Sequence, residues 1–359
     1  MKFKFINDEF FLSSIGLGTM GIGEYFKKDE SRDGFFINII KKGLEQEMFI
    51  DTAEIYANGH SEELIGKSIE NFRDFVILAT KVSPENLGYQ NVIKSCENSL
   101  SRFNTNYIDL YQIHWPNPTI SLEETMLAMK HLLEAGLIKN IGVCNLSLLE
   151  LVDVNSIADK FGLKIASNQV EYNLIDRTIE EDLISYCEEN SIMIIGYSPL
   201  KWNKYLGKDK IKTLEDIAKK YNKTITQIIL NFLISKPFVI TIVKTESIDH
   251  IIENAKSSDF ELEKQDIELI DKAFKSSVIE IPMGEIKVDN TGIDNFVPHP
   301  KDLAIYYRNN LDNLKMKPIK VKRINDDKYR YELIEGKVKY WAWNYAFNKT
   351  KQIIALVLN

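Results

Sequence analysis

The sequence predicts an α/β fold: a closed (β/α)8 barrel followed by a smaller α+β unit. Three observations lead there. Eight short apolar runs are spread over the first ~280 residues, segments of helical period separate them, and charge and Pro/Gly content both change near residue 282. After a candidate hairpin over residues 3–12, the runs are Ser14 to Leu17, Met48 to Asp51, Phe75 to Thr80, Tyr107 to Ile113, Ile138 to Val143, Ile165 to Val170, Ile192 to Tyr197 and Val239 to Val243. Each is short and almost continuously apolar, the mark of a parallel strand covered on both faces. The intervening segments, such as QNVIKSCENSLSRF and LEETMLAMKHLLEAG, place apolar residues on one helical face. Eight strand–helix units in this length close a barrel more readily than they build an open sheet. The letters GLGTMG (16 to 21) satisfy GxGxxG, but no helix signal follows at once, so the dinucleotide fingerprint of an open sheet is not made.

The boundary is drawn near 282, dividing the chain into 1–281 and 282–359. From Ile286 onward there are 14 Lys+Arg against 8 Asp+Glu, whereas the preceding residues carry 31 against 44. The stretch IPMGEIKVDNTG adds Pro and Gly at the same place. Over all 359 residues the net charge of −7 argues against nucleic acid as the partner of the whole molecule. No apolar run reaches the roughly 18–20 residues of a membrane span, and the N-terminus has no secretory pattern, so the cytoplasm is the expected location. Cys96, Cys144 and Cys187 are too few and scattered for a disulfide framework and form no CxxC, so they are expected as buried small hydrophobes, with no metal site.

In a barrel, chemistry collects at the C-terminal ends of the strands. The polar residues there are Asp51 and Tyr56, Lys81, His114, Asn145, Gln169 and Glu171, Tyr197 and Ser198, and Lys244 with Thr245. Any one of them is as readily structural as functional, whereas four complementary titratable groups on successive strand ends form a set. A tyrosine with its ordinary pKa near 10 is a poor acid unless a neighbour stabilises its anion. Lys81 would do this, Asp51 would hold Lys81 by an ion pair, and His114 would orient a carbonyl oxygen toward the Tyr56 hydroxyl. Protonating that oxygen requires hydride at the carbon, which no side chain supplies, so a nicotinamide cofactor is implied.

The motifs GLGTMG (16 to 21), FIDTAEIYANGHSEELIGKSI (49 to 69), ILATKV (77 to 82), YIDLYQIHWPNP (107 to 118), IKNIGVCNLS (138 to 147), NQVEYN (168 to 173), GYSPL (196 to 200) and VKTESIDHIIENAKS (243 to 257) resemble those of aldo-keto reductases in order and spacing. The resemblance implies a TIM barrel that reduces an aldehyde or ketone with Asp51, Tyr56, Lys81 and His114 as its catalytic tetrad. It also implies an extended NADPH at the barrel mouth, with Asn145 and Gln169 on the carboxamide and Tyr197 stacked on the nicotinamide. Thr19, Met20 and Asp51 would line the cofactor, and Ser198 and Leu200 would lie at the pyrophosphate. Lys244, Thr245 and His250 would surround the 2′-phosphate, and Glu253 and Asn254 the adenine.

Three departures from the family pattern bear on this expectation. Cys144 stands where Ser is usual, removing a hydroxyl beside the carboxamide, and His250 stands where many members have Arg, which leaves NADH as an alternative to NADPH. Only WPNPTI separates His114 from the next helix, an open pocket suited to a polar or bulky substrate such as a sugar or sugar-nucleotide derivative, with Tyr25, Trp115 and Trp202 as candidate lining.

The final segment reads as an amphipathic helix (Pro300 to Leu314), strand, Asp-Asp turn, strand, Gly336, helix and strand. That order resembles the ParB N-terminal and sulfiredoxin-like fold, in which G-x-R-R-x-x-A binds nucleotide phosphate. Here Gly336 is followed by Lys337, Val338 and Lys339, so both arginines are replaced and nucleotide binding becomes the alternative to a structural role. Trp341, Trp343, Tyr345 and Phe347 are expected in its core, and Lys320, Lys322 and Arg323 on a solvated strand edge. A different class of function, a redox sensor or regulatory subunit that binds cofactor without turnover, fits the same barrel. The sequence leaves oligomeric state open.

Overall fold

In the computed structural model the described residues are 1–6, 10–24, 30–201, 207–275, 278–289, 291, 296, 298–309 and 317–358. An antiparallel hairpin, β1 (Phe3–Phe5) and β2 (Phe11–Ser13), precedes the barrel. The barrel strands are β3 (Ile15–Gly18), β4 (Ile50–Asp51), β5 (Leu78–Val82), β6 (Leu110–Ile113), β7 (Ile141–Cys144), β8 (Ile165–Glu171), β9 (Met193–Tyr197) and β10 (Val239–Val243). They are parallel, and β10 pairs with β3 to close the ring. Each strand predicted from its apolar run is present. The predicted starts at Ile165 and Val239 are exact, and the other six run one to three residues early, because residues such as Met48 and Tyr107 enter their strands before regular pairing begins.

The helices around the barrel include α1 (Asp33–Glu45), α2 (His60–Ile69), α3 (Tyr89–Phe103), α4 (Leu122–Glu134), α5 (Leu148–Lys160) and α6 (Leu183–Glu189). α7 (Lys208–Tyr221), α8 (Ile225–Ile234), α9 (Ile248–Ala255) and α10 (Lys264–Ala273) complete them. Strand alternation sorts the side chains. On β6, Tyr111 and Ile113 pack outward against the helices, Leu110 joins the inner layer of Phe49, Ala79, Met193, Ile195 and Ile240, and Gln112 and then His114 continue inward at the mouth. Gly16 is required here, because a Cβ on it would lie 2.2 Å from the Phe49 ring. The hairpin plugs the opposite end, where Leu12 is fully buried and Lys4 Nζ donates to the carbonyls of Ile234 (2.6 Å), Val239 (2.7 Å) and Lys236. The three cysteines are free and buried, as expected.

The chain ends in a second, five-stranded sheet in the order β11 (Val278–Pro282), β15 (Gln352–Leu358), β13 (Ile319–Arg323), β14 (Tyr331–Glu335), β12 (Ile286–Lys287). Helices α11 (Pro300–Asn309) and α12 (Lys337–Phe347) pack against it. The elements read from the sequence are all present. Residues 310–314 of the predicted helix lie outside the described residues. The Asp-Asp turn forms with Asp326 Oδ1 accepting from the amides of Lys328 (2.9 Å) and Tyr329 (3.1 Å). Gly336 has φ 92° and sits where a Cβ would lie 2.8 Å from Ile319 Cγ2, so both backbone and space demand glycine. Trp343 is in the core beside Tyr307, and Phe347 packs on it.

One expectation fails. Lys322 and Arg323 are exposed as expected, but the strand is not an edge, because β15 covers the other side of β13 and makes it central. Lys320 is 5 % exposed and points into the barrel mouth.

Candidate active site

Asp51, the last residue of β4, and Lys81 on β5 face the barrel interior, and their side chains meet at 2.6 Å with both residues essentially buried. The Lys81 ammonium also donates to the Thr52 carbonyl at 2.7 Å. Burial alone would lower its pKa, but Asp51 reverses the effect and holds it above the ordinary lysine range. The other oxygen of Asp51 accepts from Gln169 Nε2 at 2.7 Å and from Gln112 Nε2 at 3.3 Å. A buried carboxylate is thus fully satisfied and its partner's charge is fixed in place.

Tyr56 begins the turn that leads from β4 into α2. Lys81 Nζ lies 5.4 Å from its ring centroid, and His114 contacts it edge-on at 5.9 Å. Three residues in succession, Ala57 (φ 50°), Asn58 (φ 56°) and Gly59 (φ 88°), adopt the left-handed conformation, a sharp turn that directs the tyrosine back over the barrel. The sequence argument expected Lys81 to lower the tyrosine's pKa. Burial outweighs it: the hydroxyl sits above its usual range, with Lys81 pulling against that rise. The phenol therefore holds its proton at neutral pH, and Lys81 stabilises the anion once the proton leaves.

His114 is 5 % exposed and stacks on Trp115 at 3.7 Å between centroids. Burial, and then the Lys81 charge, push its pKa down to about 2, which keeps it neutral as a hydrogen-bond donor. Its Nδ1 is buried with no partner among the described residues. The folded-state pKa lies below the unfolded value of about 6.5, so the unfolded chain takes up the extra proton. His114 therefore contributes stability that is complete above about pH 6.5 and is lost as pH falls, at up to about 1.4 kcal/mol per pH unit. Replacement by Gln is expected to flatten the acid side of a urea-measured stability profile between pH 6.5 and 5.

The next strand ends carry the other candidates. Asn145 has φ 65°, donates to the His114 carbonyl at 3.0 Å and accepts from the Tyr197 hydroxyl at 2.9 Å. Ser198 follows at φ 53°. Thr19 Oγ1 donates to the Asp51 carbonyl at 3.0 Å, and Met20 is exposed beside it. Cys144 is buried, with Sγ 3.7 Å from Gln112 Oε1, and burial raises its thiol pKa, leaving it inert. Leu200 packs partly against the core. Farther around the rim, Thr245 Oγ1 is 3.5 Å from His250 Nδ1, while Glu246 bridges Lys244 and Arg32, each at 2.7 Å. Glu253 accepts from Thr224, and Asn254 is buried. Tyr25 and Trp202 lie outside the described residues.

Sequence reasoning missed several supports. Gln112 was legible from its place two residues before His114 on one strand face. Glu62, fully buried, accepts from Thr80 and Arg102, both at 2.6 Å, and ties α2 to β5 and α3. Arg32 has no local signal, because its proximity to Lys244 arises only from folding.

Residues 14–275 match the aldo/keto reductase family. The chain belongs to that family. Methylglyoxal reductase YeaE of Escherichia coli K12 is 34% identical over 281 residues, covering 77% of this chain and 95% of that protein. Glyoxal reductase of Bacillus subtilis is 35% identical over 235 residues, 65% of this chain and 79% of that one. A crystal structure of an aldo-keto reductase from Klebsiella pneumoniae in complex with NADPH superposes with a TM-score of 0.67 at 31% identity, over 76% of this chain and 96% of its own. This aldo-keto reductase is an NAD(P)H-dependent carbonyl oxidoreductase, with an eight-stranded parallel barrel. Among its described residues no helix is long and apolar enough to cross a membrane.

Proposed function

We propose that this aldo-keto reductase uses NADPH to reduce a small polar aldehyde or ketone, with Tyr56 as general acid. The observation that carries the proposal is the buried Asp51–Lys81 pair beneath Tyr56, with a neutral His114 against the same ring. Lys81 stabilises negative charge as the Tyr56 proton moves to the carbonyl oxygen, and His114 orients that oxygen by donating a hydrogen bond. The residues fit a nicotinamide dinucleotide by donor chemistry: Asn145 and Gln169 offer side-chain amides at adjacent strand ends, and Tyr197 offers an aromatic face beside them. When bound, the cofactor supplies hydride. Lys244, Thr245 and His250 supply a basic rim for a 2′-phosphate, reinforced by Arg32 and opposed by Glu246, so NADPH is favoured over NADH by a small margin.

The methylglyoxal and glyoxal reductases among the relatives favour a 2-oxoaldehyde as substrate. Exposed Trp115 and the short loop after it leave room for a sugar-derived carbonyl as well. Titrating the protein with NADPH and NADH by fluorescence, then following NADPH oxidation over a carbonyl panel, tests this reading. Saturable NADPH binding with fastest turnover of 2-oxoaldehydes is expected. Binding without turnover of any carbonyl favours the sensor reading instead.

For the appended unit we infer a docking role. The division from the barrel is drawn ahead of Val278, because β11 pairs with β15. The likeness to ParB and sulfiredoxin rests on element order, while the basic residues after Gly336 are turned to this chain's own groups. Lys337 donates to the Thr291 carbonyl at 2.5 Å and lies 3.5 Å from Asp289, and Lys339 donates to the Lys317 carbonyl at 3.5 Å. No binding of cytidine triphosphate is expected in a titration of the full chain. The cytoplasm remains the proposed location.

A further inference from the structure

Gln169 and Glu171 share the inward face of β8, with Val170 and Tyr172 packed outward between and after them. In the sheet register Glu171 lies opposite Tyr197. The layer immediately above the candidate nicotinamide site is therefore acidic: Glu171 is 6 % exposed, and Asp176, in the connection that follows β8, is 2 % exposed. From the barrel itself Glu171 meets Lys201, a partly exposed cation, at 3.4 Å.

The more deeply buried cations come from the C-terminal unit. Lys320 Nζ reaches Glu171 at 2.6 Å, Asp176 at 3.1 Å and its own sheet's Glu335 at 3.2 Å. Lys317 flanks the pair at 3.9 Å from each barrel carboxylate. Lys201, one residue beyond Leu200, joins Glu171 at 3.4 Å and also pairs with Glu335. Three carboxylates and three lysines make a neutral cluster, of which Lys320 is the most deeply buried cation. A buried carboxylate that loses its nearest and most deeply buried cation keeps its negative charge in a place that the more distant, more exposed Lys201 and Lys317 screen less well. A dinucleotide brought to this mouth carries a diphosphate, so such a charge opposes its binding directly.

We propose that Lys320 is a positioning residue for the cofactor site: by neutralising Glu171 and Asp176 beside Tyr197, it makes NADPH binding in the barrel depend on docking of the C-terminal unit. The proposal rests on the reductase reading of the Tyr197 site. It gives the appended sheet a role within the reaction and makes the mouth a joint product of both units.

The test uses the full-length chain and NADPH as the probe. Lys320→Met keeps the aliphatic stem and removes the charge; it is expected to weaken NADPH binding by about tenfold, the order of effect of one uncompensated, partly buried charge. The loss is expected in the KM for NADPH, with kcat at saturating cofactor little changed, because the Tyr56 group is untouched. The triple variant Lys320→Met, Glu171→Gln, Asp176→Asn removes the charges together and is expected to restore affinity to near the wild-type value, a rescue that a mere packing role would not give. It also decides the question if Lys320→Met alone fails to fold. Wild-type affinity in Lys320→Met, or a folded triple variant that binds as weakly as the single one, overturns the coupling alone. A wild-type chain that binds neither NADPH nor NADH overturns the coupling and the reductase reading together.

Discussion

Tyr56→Phe is expected to abolish carbonyl reduction while leaving NADPH affinity unchanged. The substitution removes only the hydroxyl. The ring remains against His114 and above Lys81, so the shape of the mouth is kept. A positioned general acid contributes about 10²–10⁴-fold, and the fall in kcat is expected at the upper end of that range. Burial holds the tyrosine's pKa above its usual value, so in the wild type the acid stays protonated across neutral and mildly alkaline pH. Turnover is accordingly expected to hold through that range, with decline only where the phenol begins to ionise. Steady-state kinetics paired with a fluorescence titration of NADPH check both halves. Retained turnover in the Phe variant would remove Tyr56 from its role.

Lys81→Met is expected to be the most damaging single change in the barrel. It leaves Asp51 buried with its two amide donors, Gln169 and Gln112, but without its cation. Breaking a buried pair from one side costs about 3–5 kcal/mol, and urea unfolding is the measurement. Lys81 has a folded-state pKa above its unfolded value, so its contribution is complete below about pH 10 and fades only as pH rises further. The stability difference between wild type and variant is therefore expected to be flat between pH 6 and 9. Activity is lost as well, because the Tyr56 anion no longer has a neighbouring cation. Asp51→Asn combined with Lys81→Met is expected to regain part of the stability and none of the activity, which separates the two roles.

Much of this was legible in the chain. Parallel strands buried on both faces announce themselves as apolar runs, so the barrel followed from eight of them, and the chemistry followed from asking which polar residues end each run. Asp51, Lys81 and His114 were found this way because strand ends are local features, and Tyr56 because it follows one closely. The fate of Lys320 was not legible for the opposite reason. IKVKR alternates like an edge strand, and only the parallel pairing of β13 with the last strand of the chain, together with carboxylates about 150 residues earlier in sequence, makes its second position a buried one. Gln169 was singled out as a strand-end residue, but its bond to Asp51, like that of Gln112, appears only once the barrel closes around them. The raised pKa of Tyr56 had a similar cause: the sequence names the lysine that lowers it, whereas the burial that outweighs the lysine is a property of the folded mouth.

The most direct test of the central claim is transfer of label from NADPH deuterated at the reactive position of its nicotinamide ring. With methylglyoxal as acceptor, the alcohol product of the wild-type protein is predicted to carry one deuterium at the former carbonyl carbon, read by mass spectrometry, and Tyr56→Phe is predicted to form no labelled product. An unlabelled alcohol from the wild type, or labelled product formed equally well by Tyr56→Phe, would contradict hydride transfer with Tyr56 as the acid.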